Sequence, residues 1–199
     1  MEDLNLRQKK HFDSIASDYY KYRKLKAHTS FKKMMWDFFF KKYTKIFENL
    51  SQKITILEPM CGFIEGYKIL NSKFKNISNY NAFDYSSEVV NFCKKNYFNL
   101  SIEEADIYKF KIEKSFNFGI LIGGLHHVSN DIETAVRNIS KYYEKNAYFI
   151  NLEPTHESSI IKLIRNFIYK NNSFFDEKTE SGIELKTLNK CFEKNGFKL

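Results

Sequence analysis

The first fifty residues have an apolar pattern with helical spacing, and they contain no glycine and no proline. Phe12, Ile15 and Tyr19 recur at three- and four-residue intervals, which places them on one face of a helix. A second run from 29 to 47 includes the block MMWDFFF, whose apolar side chains surround nearly the whole helix and indicate burial against two surfaces or against a partner. We predict a helical cap over residues 1–50, followed by a core domain over residues 51–199.

Beyond residue 53 the pattern changes to short apolar runs that alternate with amphipathic segments. The runs predict strands at 54–57, 80–83, 100–104, 116–122 and 147–152, with the start of another at 196–199. The amphipathic segments predict helices at 66–74, 86–97, 131–143, 158–169 and 185–195. Strands that alternate with helices are typical of a parallel sheet with right-handed crossovers. The predicted fold class is therefore α/β, doubly wound, with a mostly parallel sheet and helices on both faces.

Polar residues and glycines stand at the ends of successive predicted strands. Glu58 follows the first strand, Asp84 the second and Asp106 the third, while Gly123-Gly124 and then His126-His127 follow the fourth. The carboxyl ends of parallel strands meet at one edge of a sheet, which is where such folds bind ligands. We therefore expect these side chains to lie around one site.

The segment between the first strand and its helix has the composition of a nucleotide-binding turn. It contains Pro59, Cys61, Gly62 and Gly66, and small residues let the backbone approach a ligand closely. Asp84, at the end of the next strand, offers two acceptor oxygens, which suit the two hydroxyl groups of a ribose.

Composition and charge change this picture little. The 199 residues carry a net charge of +8, but the basic residues are scattered, whereas nucleic-acid-binding proteins usually carry a basic stripe, so we do not expect a nucleic acid partner. Cys61, Cys93 and Cys191 have no CxxC spacing, so neither a disulfide framework nor a metal site is predicted. No signal peptide opens the chain and no apolar run approaches the ~20 residues of a membrane span, so we expect a cytoplasmic protein without membrane contact.

The strand-end segments, taken in order, resemble the class I S-adenosylmethionine (SAM)-dependent methyltransferases, particularly the small-molecule branch. The resemblance rests on ILEPMCGFIEG (56–66), AFDYS (82–86), EEADIYKF (103–110), GILIGGLHHV (119–128) and NLEP (151–154). An opening such as HFDSIASDYYKYR (11–23) is also common in that family, as a helical cap over the cofactor. The resemblance implies a Rossmann-like core that binds SAM and releases S-adenosylhomocysteine.

The resemblance also implies roles for particular residues around the methionyl part of the cofactor. Glu58 would hold the methionyl ammonium, and the turn Met60, Cys61, Gly62 would pass beneath the cofactor. Gly123 and Gly124 would leave room for the methionyl part.

Further roles concern the nucleoside part of the cofactor and the acceptor. The resemblance has Asp84 bind the ribose, Tyr85 flank the adenine, and Asp106 with the backbone of Ile107 meet the adenine edge, while Tyr19 closes the site. His126 or His127 faces the substrate, where a neutral imidazole is suited to be the general base; the sequence does not distinguish the two.

Two departures from the family pattern are visible. The family usually has glycine where Met60 and Ile64 stand, so the glycine turn is eroded. The family also has a sixth strand and an antiparallel seventh strand, and we expect this C-terminal hairpin to be missing from the chain. The fifth strand would then be an open edge, which a truncated chain leaves exposed or which a homodimer or a partner subunit covers.

The expected function is methyl transfer from SAM to oxygen or nitrogen of a small, anionic acceptor. The positive net charge favours an anion, for example a phosphorylated or nucleotide-linked sugar for surface polysaccharide. Two alternatives stay open: an RNA or protein methyltransferase, and a non-catalytic partner subunit with a methyltransferase fold, which the eroded turn favours. A nicotinamide dehydrogenase is disfavoured because no GxGxxG motif follows any strand.

Overall fold

Five parallel strands form one sheet in the computed structural model, which describes residues 4–48, 50, 53–155, 163, 167, 174 and 182–199. The strands are β1 (Ile54–Pro59), β2 (Ile77–Asp84), β3 (Ser101–Glu104), β4 (Phe116–Ile122) and β5 (Tyr143–Leu152). Their spatial order is β3-β2-β1-β4-β5, so the chain builds outward from β1 in one direction and then returns to its other side. This reversal opens a crevice between the carboxyl ends of β1 and β4. The predicted α/β class is confirmed.

Helices lie before and between the strands. They are α1 (Leu4–Arg23), α2 (Lys26–Lys42), α3 (Thr44–Glu48), α4 (Glu65–Asn71), α5 (Ser87–Asn96), α6 (Ile132–Ser140) and α7 (Leu185–Lys194), with a 3-10 helix at Leu125–Asp131. Two of the starts follow from side-chain caps, because the hydroxyl oxygen of Ser86 accepts from Val89 N and the carboxylate of Asp131 accepts from Thr134 N.

The sheet is buried on both faces, which explains why its strands are nearly continuous apolar runs. Neighbouring residues of a strand alternate between two cores. In β1, Ile56 belongs to the core under α2, α4 and α5, whereas Leu57 belongs to the core under α6 and α7. Ile120 and Leu121 divide in the same way in β4.

One face of α2 packs into the first core through Trp36 and Phe40, which are 6% and 8% exposed. The opposite face carries Phe31, Met34 and Phe38, which are all more than 60% exposed. This face is not covered within the described part of the chain, so of the two expectations for this helix, burial against two surfaces or against a partner, the second stays a prediction for that face. The division into a cap over residues 1–50 and a core over residues 51–199 stays a prediction.

Several boundaries differ from their predictions. β2 and β5 begin earlier than expected, and Tyr143 already pairs with Phe116 of β4. The predicted strand at 196–199 is wrong: Gly196 has a φ of 88° and ends α7, and Phe197 N donates to the carbonyl of Phe192 at 3.1 Å. This turns the Phe197 ring back onto the second core, so the described residues contain no sixth strand. The helix predicted at 158–169 lies outside the described residues, apart from two single positions.

Candidate active site

A cleft lies at the carboxyl ends of the strands, with α1 as its cover. Of the thirteen site residues predicted from the sequence, eleven line this cleft: Tyr19, Met60, Cys61, Gly62, Asp84, Tyr85, Asp106, Ile107, Gly123, Gly124 and His127. Glu58 and His126 do not line it. The parallel sheet therefore brings together side chains from β1, β2 and β4 and from the segment after β3, as expected from their strand-end positions.

The turn after β1 keeps a glycine-type backbone without most of the glycines. Met60, Gly62 and Ile64 have φ angles of 50°, 50° and 57°, in the left-handed region that favours glycine. Met60 and Ile64 are the positions where the sequence departs from the family, and a side chain there costs on the order of 1–2 kcal/mol each. The departure therefore strains the turn but does not change its path. Gly62 N donates to Asp84 Oδ2 at 2.9 Å, which fixes the turn against the end of β2.

The carboxylate of Glu58 is used inside the fold. The residue is 1% exposed, and its oxygens accept from Gly66 N at 2.8 Å, Tyr67 N at 3.3 Å and the hydroxyl of Tyr80. A Cβ atom on residue 66 would lie 2.7 Å from Glu58 Oε1, so only glycine permits this contact. Burial raises the pKa of Glu58 to about 7. A direct contact of Glu58 with a cofactor stays a prediction, but the geometry weighs against it and makes Glu58 the anchor of the start of α4.

Asp84, unlike Glu58, lies at the wall of the cleft. Its Oδ1 accepts from Ser86 N at 3.0 Å and its Oδ2 from Gly62 N at 2.9 Å, which orients the carboxylate at the cleft wall. Burial raises its pKa. Asp106 also lines the cleft, but its Oδ1 accepts from Tyr108 N at 2.9 Å and caps the turn after β3.

The sequence does not distinguish the two histidines, but the structure gives them different environments. His126 Nδ1 lies 3.0 Å from Glu153 Oε2, below the cleft wall, whereas His127 lines the cleft. Their ring centroids are 3.9 Å apart. Burial and the neighbouring His126 hold the pKa of His127 well below its usual range, so this imidazole is neutral.

Glu153 orders the turn that carries both histidines. Its side chain is 0% exposed, and its Oε1 accepts from Gly124 N at 2.9 Å and Leu125 N at 2.7 Å. Burial raises the pKa of Glu153 to about 7. Its place after β5 is consistent with the NLEP segment singled out above, although its hydrogen-bond partners depend on tertiary structure.

Helix α1 contributes residues that sequence reasoning missed. Gln8, Lys9, Phe12 and Arg23 all line the cleft. The amide Nε2 of Gln8 is buried and has no hydrogen-bond partner among the described residues. Lys9 forms an ion pair with Glu104 and thereby holds α1 over the ends of the strands. None of these residues has a local signal beyond its place on a predicted amphipathic helix.

A comparison with known protein families decides what kind of domain this is. Residues 57–151 match the family model described as a methyltransferase domain. This part of the chain is a class I methyltransferase domain. The family predicted from the strand-end segments is confirmed for this part of the chain, and the methyl donor of that family is SAM.

Solved structures share the fold of the methyltransferase domain at low sequence identity. A SAM-dependent methyltransferase of Thermotoga maritima, described as a possible histamine N-methyltransferase, has a TM-score of 0.65 and 14% identity over 95% of this chain and 80% of its own. A SAM-dependent methyltransferase of Clostridium acetobutylicum has a TM-score of 0.55 and 20% identity over 70% and 57%. A Haloferax volcanii complex with the Trm112 methyltransferase activator has a TM-score of 0.58 and 12% identity over 74% and 62%. This chain therefore spans less than two thirds of the length of two of these three proteins.

No curated protein sequence matches the chain significantly. Within the described residues, no group of three or more His, Cys, Asp and Glu side chains is placed to hold a metal ion. No helix in the same part of the chain is long and apolar enough to cross a membrane.

The residues of the cleft fit the methyl donor of the family. SAM carries a ribose diol and a sulfonium cation, and Asp84 and Asp106 supply carboxylates to the same cleft. The unpartnered Gln8 amide supplies a donor for a polar atom of a ligand. Gly124 lies so close to the turn that a Cβ there would meet Met60 Cβ at 2.8 Å, so the two segments leave no space for a side chain between them.

Proposed function

We propose that this methyltransferase domain transfers a methyl group from SAM to an oxygen or nitrogen atom of a small, anionic acceptor. The observation that carries the proposal is a single cleft at the β1/β4 crevice. This cleft joins the two strand-end carboxylates, Asp84 and Asp106, to the neutral imidazole of His127. When bound, SAM supplies an electrophilic methyl group, and the product is S-adenosylhomocysteine.

In this proposal the chain holds the nucleoside part of the donor at the ends of β2 and β3. Asp84 accepts hydrogen bonds from the ribose hydroxyls, Asp106 and the backbone of Ile107 meet the adenine edge, and Tyr85 flanks the ring. The methionyl part lies between the turn at Met60–Gly62 and the Gly123-Gly124 pair. Tyr19 on α1 closes the cleft, which excludes water from the reacting atoms.

His127 is the proposed general base. A base must be unprotonated and must reach the acceptor, and His127 is neutral, lines the cleft and has a buried Nδ1 without a hydrogen-bond partner among the described residues. His126, held by Glu153, instead supports the His127 ring. The main work of the site is positioning of the acceptor and removal of its proton.

An anionic acceptor is supported by the net charge of +8, whereas the two cations that α1 brings to the cleft, Lys9 and Arg23, are already paired with Glu104 and Glu65. A phosphorylated or nucleotide-linked sugar, and with it a role in polysaccharide synthesis, is one acceptor of this class. A cytoplasmic location fits the three free cysteines, because disulfides are rare in reducing compartments.

The alternative of a non-catalytic partner subunit retains one supporting observation. In the described part of the sheet β5 is an edge strand, to which a partner or a second copy could add. Against this alternative, Met60 and Ile64 keep the turn in its glycine-type path, so the eroded motif does not by itself remove the cofactor site.

The test is calorimetric titration of the protein with SAM and with S-adenosylhomocysteine. We expect micromolar binding of both ligands, and weaker binding in an Asp84→Asn variant. Failure of the unaltered protein to bind either ligand would favour the non-catalytic alternative. Once an acceptor is found, a His127→Asn variant should lose about 10²–10⁴-fold in kcat with an unchanged affinity for SAM.

A further inference from the structure

A second cleft, of about 590 Å³, lies between the helical cap and α4. We call it the cationic cleft because six basic side chains line it: Arg23, Lys24, Lys32, Lys33, Lys68 and Lys73. The acidic residues in its lining are Asp37 and Glu65, which leaves an excess of four positive charges. This is half of the net charge of +8 carried by the whole chain, concentrated at one place.

The two carboxylates of the cationic cleft are already fully engaged. Glu65 accepts from Arg23 at 2.7 Å and from Lys32 at 2.6 Å. Asp37 in the same way accepts from two lysines of the cleft, at 2.6 and 2.8 Å. Each carboxylate is therefore paired with two cations, so its single negative charge is not available to neutralise a third.

Lys24 and Lys68 have no carboxylate within 4 Å among the described residues. The Nζ atom of Lys24 lies 4.3 Å from the centroid of the Tyr20 ring. That of Lys68 donates to the carbonyl of Phe63 at 2.9 Å, which leaves two of its three donors without a protein acceptor among the same residues. Burial lowers the pKa of Lys32, and the charges of Arg23 and Lys68 act in the same direction against the opposing effect of Glu65.

Aromatic side chains form the apolar part of the same cleft. Trp36 and Phe63 are 6% and 7% exposed, and the rings of Tyr20 and Tyr97 add to the lining. Small-molecule sites of about 300–1,000 Å³ combine such apolar walls with a few charged groups. An inorganic ion would use the cations and leave the aromatic walls without a partner.

We propose that the cationic cleft is a second binding site, for a small phosphorylated organic molecule. The phosphate group binds between the ammonium groups of Lys24 and Lys68, where its several acceptor oxygens meet donors that the protein leaves without carboxylate partners. The organic part packs against Tyr20 and Tyr97. We call the first cleft, at the carboxyl ends of the strands, the cofactor cleft. It shares Arg23, Phe63 and Glu65 with the cationic cleft, so the two sites have a common wall. The proposal does not depend on methyl transfer.

The sole tryptophan of the chain, Trp36, lines the cationic cleft and reports its occupancy. We would titrate the protein with phenyl phosphate, with inorganic phosphate and with phenol, and follow tryptophan fluorescence. We expect a saturable change with phenyl phosphate, and binding at least 10-fold weaker for inorganic phosphate and for phenol. No saturable change, or equally tight binding of inorganic phosphate, would overturn the proposal.

A Lys24→Gln, Lys68→Gln double variant locates the site. Its Kd for phenyl phosphate should rise at least 10-fold. The matched control is Lys186→Gln, Lys190→Gln, which removes two exposed lysines from α7, a helix that packs on the opposite face of the sheet. An equal loss in the control would mean a general charge effect and would contradict the proposal.

Displacement of phenyl phosphate by SAM would place the ligand in the cofactor cleft and would also overturn the proposal. The affinity of the Lys24, Lys68 variant for SAM, measured separately, should be unchanged.

Discussion

The acids that follow the strands fall into two groups with different environments. The side chains of Glu58, near the end of β1, and Glu153, after β5, are buried. Glu58 accepts hydrogen bonds from N–H groups of the helix that follows β1, and Glu153 accepts them from N–H groups of the turn that follows the neighbouring β4. Asp84 and Asp106 follow β2 and β3 and line the cleft. In the sequence all four are acids after an apolar run, and nothing local separates them.

The difference lies in what each carboxylate meets. Glu58 and Glu153 give their acceptor capacity to the protein, and burial raises the pKa of each to about 7. Asp84 lines the cleft, and in the proposed function it accepts hydrogen bonds from a ligand. A strand-end acid can therefore act as an anchor of the turn or as a ligand group, and the same position in the motif does not decide which. The predictions below test this division.

The largest expected effect is on stability, at Glu58. Replacement by Ala leaves the N–H groups of Gly66 and Tyr67 and the hydroxyl of Tyr80 without their acceptor. Each such buried group costs about 1–3 kcal/mol, so we expect the free energy of unfolding to fall by at least about 3 kcal/mol. Urea unfolding measures the change. A fall of less than about 1 kcal/mol would show that Glu58 is not an anchor.

Asp84→Asn should affect binding more than stability, although its NH2 group can no longer accept one of the bonds from Gly62 N and Ser86 N. Loss of the charged acceptor should raise the Kd for SAM by about 10- to 100-fold, since hydrogen bonds to charged groups contribute about 1.5–3 kcal/mol. The matched control is Glu103→Gln, an exposed acid on neighbouring β3 that does not line the cleft. The division into two groups would be wrong if Asp84→Asn lowered the free energy of unfolding by several kcal/mol and left the Kd for SAM unchanged.

The anchors also predict how stability varies with pH. The folded pKa of Glu58 and of Glu153, about 7, lies above the ordinary value of 4.5, so the folded protein holds protons that the unfolded chain has lost in this interval. Their contribution to stability is complete below about pH 4.5 and is lost as the pH rises through about 7. A Glu58→Gln, Glu153→Gln variant should flatten the slope of unfolding free energy between pH 4.5 and 7. An unchanged slope would assign the pH dependence to other groups.

The smallest effect is expected at Asp106, which belongs in part to both groups. Its carboxylate lines the cleft and also accepts from Tyr108 N, and its side chain is 20% exposed. We expect Asp106→Asn to weaken SAM binding by about 3- to 10-fold and to lower stability by about 0.5–1 kcal/mol. Titration calorimetry and urea unfolding of the same sample compare the two losses. A 100-fold loss of affinity for SAM would show that Asp106 acts mainly as a ligand group.

Most of the sheet could be predicted from the sequence because its signals are local. Apolar runs bounded by glycine and polar residues locate all five strands, whereas only the structure identifies Ser86 and Asp131 as the caps of α5 and α6. The ends of strands were less accurate, since β2 and β5 are extended by pairing with neighbours that lie far away in the chain. The strand predicted at 196–199 failed because Phe197 packs onto the second core instead of pairing.

The sequence by itself determined the α/β class, the edge of the sheet that carries the cleft and the residues that could reach it. Periodicity and strand order are sufficient for those inferences. Only the tertiary structure decided that Glu58 is an anchor, that His127 rather than His126 lines the cleft, and that Gln8 reaches the cleft from α1. It also gathered basic residues that are scattered in the chain, from Arg23 to Lys73, into one cleft. The physical reason is that burial, hydrogen-bond partners and local charge depend on residues brought together by folding, and these leave no pattern in the neighbouring sequence.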